Sequence, residues 1–288
     1  MKTTTNDESV RAAVREQYGA IARQGGGCGP SCCGPGPAAS LALGYTEEDL
    51  ASVPDGANMG LGCGNPQAIA SLREGEVVID LGSGGGFDCF LASRQVGPSG
   101  AVIGVDMTAD MVAKARANAL RLGTSNVDFR LGEIEHLPVR DGVADVILSN
   151  CVVNLSPDKA AVFAEAFRAL KPGGRLAISD VVAVAPLPDD LAADVQVLTG
   201  CVSGAVSVSQ LVTLLADAGF ERVDVSVKEE SRAVIREWMP GSGIERYVAS
   251  ATIRAQRPSL ADAPEPTASK GAAGACCAPS CCGGEGSA

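Results

Sequence analysis

Apolar positions recur along this chain in two rhythms, and the change between them marks its organisation. From Glu76 onward, short apolar runs alternate with stretches of helical period. Residues 77–81, 101–106, 127–131, 144–150 and 175–184 read as strands. Between them, 87–95 suits a helix, Thr108 caps a helix running to about Leu122, and Ser156-Pro157-Asp158 opens a helix that ends before Lys171-Pro172-Gly173-Gly174. Beyond Pro186 the pattern predicts helices over 188–198 and 209–218, strands over 222–228 and 247–255, and a loop over 238–243. Upstream, Val10, Val14 and Ile21 recur at helical spacing over 7–23, and 24–37 is too rich in Gly, Pro and Cys for regular structure. Thr46 with Asp49 forms a capping-box pattern, and Asn65-Pro66 places proline at a helix start. Strand–helix alternation of this kind predicts an α/β fold: a Rossmann-like, doubly wound, mainly parallel sheet of seven strands. Four parts follow: N-terminal helices with a Cys-rich loop over 1–70, the Rossmann-like unit over 71–185, an acceptor-binding portion over 186–257, and a disordered Cys-rich tail over 258–288.

Composition narrows the function. With 46% apolar residues in 288 and only 3% aromatic, the chain can fill one sizeable core with Ala, Val, Leu and Ile. A formal net charge of −11 argues against a nucleic-acid partner and against docking on anionic membrane. No apolar run approaches the ~20 residues of a membrane span, and Met1 to Gln17 lacks a signal-peptide core, so a cytoplasmic location is expected. There glutathione keeps thiols reduced, and the eleven cysteines read first as ligands or nucleophiles rather than disulfides. The single histidine, His136, reads as a solvated loop residue and leaves little room for imidazole-based catalysis. Trp238 reads as a packing anchor.

The chemistry begins at Asp80-Leu-Gly82-Ser-Gly84-Gly-Gly86, directly after a predicted strand and before a helix. Glycines there let a ligand approach the backbone. A nicotinamide-binding domain would place a pyrophosphate on such a turn, usually with GxGxxG spacing. The GxGxG spacing after an acid instead resembles the cofactor loop of class I S-adenosylmethionine methyltransferases. That resemblance implies S-adenosyl-L-methionine as cofactor. Asp106 would meet the ribose hydroxyls, Glu133 and Ile134 would enclose adenine, and Asp80, Gly82, Ser83, Gly84, Gly86, Met107 and Asn150 would complete the site.

Cysteines are the second signal. Taken singly, a core cysteine is more often a small buried hydrophobe than a ligand, and Cys89 on the helix after the glycine loop reads so. Cys63 lies in Gly60-Leu-Gly-Cys-Gly-Asn-Pro66, Cys151 follows Asn150 at a strand end, and Cys201 lies in Thr199-Gly-Cys-Val-Ser-Gly204. Their placement leaves joint ligation of a soft atom and separate packing roles both open. Cys28-Gly-Pro-Ser-Cys32-Cys33-Gly34 also repeats near the other end as Cys277-Ala-Pro-Ser-Cys281-Cys282-Gly283. The repeats read either as mobile arms that capture a metalloid or as incidental tails.

Gly62-Cys63-Gly64, Asp80-Leu-Gly-Ser-Gly84 with Asp88-Cys89, Gly104-Val-Asp-Met107, Glu133-Ile-Glu135, Ser149-Asn-Cys-Val-Val-Asn-Leu155 with Pro157-Asp-Lys159, and Ser179-Asp180 together resemble the arsenite S-adenosylmethionine methyltransferase family. The likeness runs from about residue 9 to about 256. Gly60 and Leu61 depart from it, because many relatives carry an aromatic pair there. The resemblance implies that Cys63, Cys151 and Cys201 hold trivalent arsenic, with Cys33 or its neighbour Cys32 as an additional thiol and Cys28, Cys277, Cys281 and Cys282 as accessory thiols. It further implies arsenite or an arsenic–glutathione conjugate as substrate, glutathione or thioredoxin as reductant, and a role in arsenic detoxification. Two other readings stand beside it: a small-molecule C- or O-methyltransferase of the quinone or sterol type, and a non-enzymatic metalloid-binding protein.

Overall fold

The computed structural model describes residues 4–24, 38–188 and 201–259. Four helices come first: α1 (Thr4–Gln24), α2 (Ala38–Ala42), α3 (Glu47–Ala51) and α4 (Gln67–Ala70). Then β1 (Val77–Leu81), α5 (Phe87–Val96), β2 (Ala101–Asp106), α6 (Ala109–Leu122), β3 (Val127–Leu131) and β4 (Ala144–Asn150) follow in alternation. α7 (Lys159–Ala169), β5 (Leu170–Ala183), α8 (Val208–Asp217), β6 (Glu221–Lys228), α9 (Ser231–Trp238) and β7 (Val248–Gln256) complete the described elements. One sheet carries all seven strands in the order β3-β2-β1-β4-β5-β7-β6. β7 runs antiparallel to both β5 and β6, and the other pairings are parallel.

Period-2 geometry splits each central strand between two helical layers. Ile79, Leu81, Ile103, Val105 and Ile147 face Val162, Phe163 and Ala166 of α7 and Leu211 and Leu215 of α8. Val78, Val102, Val146 and Leu148 face Cys89, Phe90 and Val96 of α5 and Val112 and Ala115 of α6. Burial on both faces explains why β1 and β4 are almost continuously apolar. β6, at the edge, alternates exposed and half-buried positions.

Local sequence accounts for most element ends. Thr46 and Asp49 close a reciprocal capping box at α3, and Ser207 with Gln210 closes another at α8. Two expectations need correction. β5 begins at Leu170, not at residue 175, because Lys171-Pro172-Gly173-Gly174 stays in the sheet as a register shift opposite Ala144 and Val146. The loop expected over 238–243 loses Trp238 to α9, a helix in a stretch for which the apolar pattern predicts no element, with Ile235 and Trp238 as its buried side chains. Its apolar side chains fall on one face, but the helix is only 8 residues long, and so short a stretch is easily passed over between two strands. The helix expected over 188–198 falls almost wholly outside the described residues, as do the Cys-rich segments at both ends. Among the described residues no helix is long and apolar enough to cross a membrane.

Candidate active site

The carboxyl ends of β1, β2 and β4 open into a solvent-connected cavity, where ligands bind in doubly wound sheets. Asp80, Gly82, Ser83, Gly84, Asp106, Met107, Ile134 and Asn150 all line it. Gly82 and Gly84 have φ of 71° and 50°, which lets the loop curl tightly around the strand end. Asp106 fixes that curl: its carboxylate accepts the Gly84 N–H at 2.9 Å and the Thr108 N–H at 2.8 Å.

Two nominated residues do not reach the cavity. Gly86 begins α5, and a Cβ there would strike the rings of Phe129 and Phe90, so it shapes the turn from the core side. Glu133 faces outward to Arg11 and Arg15 of α1 at 3.7 and 3.4 Å. The wall at that point is Ile134 and Glu135 instead.

The wall itself carries a buried acid network. Burial pushes the Asp80 carboxyl well above its ordinary range, and neighbouring Asp88 adds to the rise. Asp88 is raised by burial too, opposed by hydrogen bonds from Tyr45, Gln67 and Asn150. Asp106 is raised by burial against its two backbone donors. Asn150 is the hub of this network. Its Nδ2 donates to Tyr45 Oη at 3.0 Å, Asp88 Oδ2 at 3.2 Å and the Gly64 carbonyl at 2.9 Å. Its Oδ1 accepts the Cys63 N–H at 3.1 Å. Gly62 passes so close that a Cβ would lie 2.6 Å from Asn150 Nδ2.

The thiols lie next to this. Cys63 and Cys151 form a disulfide, with Cα atoms 5.7 Å apart. This corrects the expectation of reduced ligand thiols throughout. Thiols placed to share one atom need only a short side-chain shift to reach the ~2.05 Å of an S–S bond. The Cys201 thiol donates to the Cys151 carbonyl at 2.7 Å. All three are buried, at 2%, 6% and 3% exposure, in one cluster with Val14, Ile235 and Trp238. Cys151 also lines the cavity at the strand ends, so it belongs to both. Cys151 and Cys201 hold φ of 59° and 66°, a strain on the order of 1–3 kcal/mol each for non-glycine residues. Cys89 packs in the α5 layer, and its thiol donates to Asp80 at 3.2 Å. His136 is exposed. Cys28, Cys32, Cys33, Cys277, Cys281 and Cys282 lie outside the described residues.

Sequence reasoning missed the covering residues. Arg11, Val14 and Tyr18 of α1, with Tyr45, Met59 and Ser156, complete the cavity. Arg11 reaches Glu135 at 3.2 Å, and Glu135 accepts from Ser156 at 2.6 Å. Their sequence distance from the glycine loop leaves no local signal. Two buried polar atoms on this wall, Ser83 Oγ and Asn58 Nδ2, have no hydrogen-bond partner. Unsatisfied buried donors beside an acidic wall suit a polar, positively charged small molecule.

Comparison with known proteins adds to this geometry. A family model described as a methyltransferase domain matches residues 72–219. The arsenite methyltransferase of Halobacterium salinarum is 50% identical over 274 residues, spanning 91% of this chain and 70% of that protein. The arsenite methyltransferase of Aquipseudomonas alcaligenes is 47% identical over 166 residues, and there the match spans 55% of this chain and about half (47%) of the relative. Among solved structures, the arsenic(III) S-adenosylmethionine methyltransferase of Chlamydomonas reinhardtii superposes with a TM-score of 0.56 at 32% identity, covering 78% of this chain and 74% of that one.

Proposed function

The chain belongs to the arsenite methyltransferase family, and from that premise we propose that Cys63, Cys151 and Cys201 hold trivalent arsenic beside the cavity at the ends of β1, β2 and β4. The enzyme methylates arsenite with S-adenosylmethionine as donor. One observation supports this division of labour above the rest: Cys151 is shared between the cavity wall and the buried thiol cluster. An organic acceptor of the quinone or sterol type has no use for such thiols, and a scavenging protein has no use for the adjoining cavity.

When bound, S-adenosylmethionine supplies an electrophilic methyl on a sulfonium. The glycine loop and Asp106 hold its nucleoside, Ser83 and Asn58 offer their unpartnered donors, and the acidic wall of Asp80, Asp88 and Glu135 favours its positive charge. The three thiolates leave arsenic its lone pair. No side chain has to remove a proton from that nucleophile, which agrees with a site whose lone histidine stands exposed on a loop. Thiol protons leave with the arsenite hydroxides as water, so binding itself drives the deprotonation. The remaining work is alignment, which is worth roughly 7–11 kcal/mol of barrier when reacting atoms are held ~3–3.5 Å apart. The hydrogen bonds from Asn150 to Gly64 and from Cys63 to Asn150 set that alignment from the Cys63 side.

The cradle forms only after the Cys63–Cys151 bond is reduced. A small thiol such as glutathione, or the dithiol of thioredoxin, is the reductant we assign, and arsenite or its glutathione conjugate the form delivered. The test is arsenic speciation after incubation with arsenite, S-adenosylmethionine and a thiol. Methylated arsenicals are expected from the native chain and a loss of at least ~100-fold in Cys151→Ser, on the scale of removing a catalytic group. Near-normal turnover by Cys151→Ser, or no methylated product from the native chain, contradicts the assignment.

A further inference from the structure

One carboxylate beside the thiols is not needed by the mechanism proposed above. Asp180, on β5, is buried at 2% exposure. One of its carboxylate oxygens and the sulfurs of Cys63 and Cys151 all lie within 4.8 Å of one another. The carboxylate is held rigidly. Oδ1 accepts the Val181 N–H at 2.7 Å and Asn154 Nδ2 at 2.9 Å. Oδ2 accepts the Asn154 N–H at 3.3 Å, a long contact, and the Val153 N–H adds a weaker bond to the carboxylate. A cation entering would displace these weak donors rather than the short ones on Oδ1.

Trivalent arsenic does not need a fourth donor. It binds three sulfurs as a pyramid and keeps its fourth direction for the lone pair. A zinc-group dication differs: it takes four donors in a tetrahedron, with sulfur at ~2.3 Å and carboxylate oxygen at ~2.0–2.2 Å. Those bond lengths require donor–donor separations of about 3.5–3.8 Å. Two sulfurs released from their disulfide, with a carboxylate already inside 4.8 Å, need only small shifts to meet them.

We propose that the reduced cradle is also a binding site for a thiophilic divalent cation of the zinc group, with Asp180 as the oxygen donor that arsenic does not use. The Cys63 and Cys151 sulfurs and one Asp180 oxygen supply three donors already grouped within 4.8 Å. The Cys201 sulfur, which lies outside that group on the Cys151 carbonyl, has to turn inward to complete the tetrahedral, mixed sulfur–oxygen set such ions accept. The opposing charge is the Lys159 ammonium, which interacts with both Asp180 and Cys201. One cation does not outweigh three thiolates and a carboxylate. The bound ion fills the arsenic position and the direction of its lone pair, so the two ligands exclude each other. The sulfurs are those of the cradle proposed above, and to that extent this inference rests on that reading.

Cadmium(II) is the probe, on the reduced full-length chain with Cys28, Cys32, Cys33, Cys276, Cys277, Cys281 and Cys282 replaced by serine. Two signals report the site: the ultraviolet cadmium–thiolate charge-transfer band, and emission of the chain's single tryptophan, Trp238, which packs in the thiol cluster. One cadmium per chain is expected, displaced by arsenite. Asp180→Asn should weaken cadmium roughly 100-fold, at the upper end of losses seen when groups supporting a metal site are removed, with arsenite affinity near that of the parent. The cadmium-113 resonance of the parent, which needs no variant, should lie where mixed sulfur–oxygen sets lie. An all-sulfur resonance, or equal losses of cadmium and arsenite in a folded Asp180→Asn protein, overturns the role of Asp180. Arsenite binding without cadmium binding overturns this inference alone. Failure of arsenite to bind overturns the cradle itself.

Discussion

Cys151 and Cys201 both stand in left-handed backbone, where a side chain other than glycine costs stability. Glycine would be the relaxed choice at either position, so what the strain secures is the placement of sulfur. Near them, Asp80, Asp88 and Asp106 are carboxylates whose proton affinity is raised, first of all by burial. The sign of two effects follows. For the empty protein, an acid whose folded pKa lies above its unfolded one contributes stability at low pH and loses it as pH rises through the folded value. For ligand binding the trend runs the other way. S-adenosylmethionine is cationic, so its affinity should fall on acidification, beginning above the ordinary carboxylate range of ~4. Calorimetric titration across pH checks this, with S-adenosylhomocysteine, which lacks the sulfonium charge, as control. The donor should show the steeper decline, and parallel profiles would contradict an electrostatic role for the acids. The glycine loop and Asp106 were legible in sequence because their geometry is local to one strand end. Asn150 was legible as a site residue, but not as the link between the cofactor wall and Cys63, since that depends on a loop 87 residues upstream.

α1 shows how an element acts as a unit. Its inner side chains, Arg11, Val14 and Tyr18, form one wall of the cavity, while Arg11 and Arg15 clasp Glu133 and Glu135 after β3. Glu135 is almost fully buried in that pair, and Arg11 largely so. Removing the guanidinium strands a buried carboxylate and loosens the wall. Arg11→Ala should therefore weaken S-adenosylmethionine by roughly tenfold, about 1.5 kcal/mol, the value of a hydrogen bond to a charged group. Equilibrium binding measures it, and an unchanged dissociation constant would remove α1 from the site. The helical period of α1 was plain in the sequence, but periodicity names an apolar stripe and not the surface it covers. The central strands β1, β2 and β4 were read almost to the residue because both their faces are buried, and the edge strands β3 and β6 because apolar and polar positions alternate along them. β5 and α9 departed for physical causes: a Pro-Gly-Gly segment that stays in the sheet as a register shift, and a strongly one-sided helix only 8 residues long.

At the scale of the whole molecule, the parallel sheet gathers what the chain disperses. Cys63 and Cys151 are 88 residues apart, and Cys151 and Cys201 are 50 apart. Cys63 and Cys151 meet because β4 ends beside β1 and β5, with the loop bearing Cys63 crossing above, and Cys201 packs beside them through its contact with the Cys151 carbonyl. No periodicity predicts that meeting. It became legible only through resemblance to a family whose motifs span the same segments. The net charge of −11 and the acidic cavity wall agree with a small cationic donor and a neutral metalloid rather than a polyanionic partner. Arsenic X-ray absorption tests the convergence most directly, on the reduced chain with its seven terminal-segment cysteines replaced by serine and one equivalent of arsenite bound. Three sulfur neighbours around arsenic, falling to two in Cys201→Ser, is the predicted result. Two sulfurs in the parent, or a first shell untouched by Cys201→Ser, would contradict a cradle built from Cys63, Cys151 and Cys201.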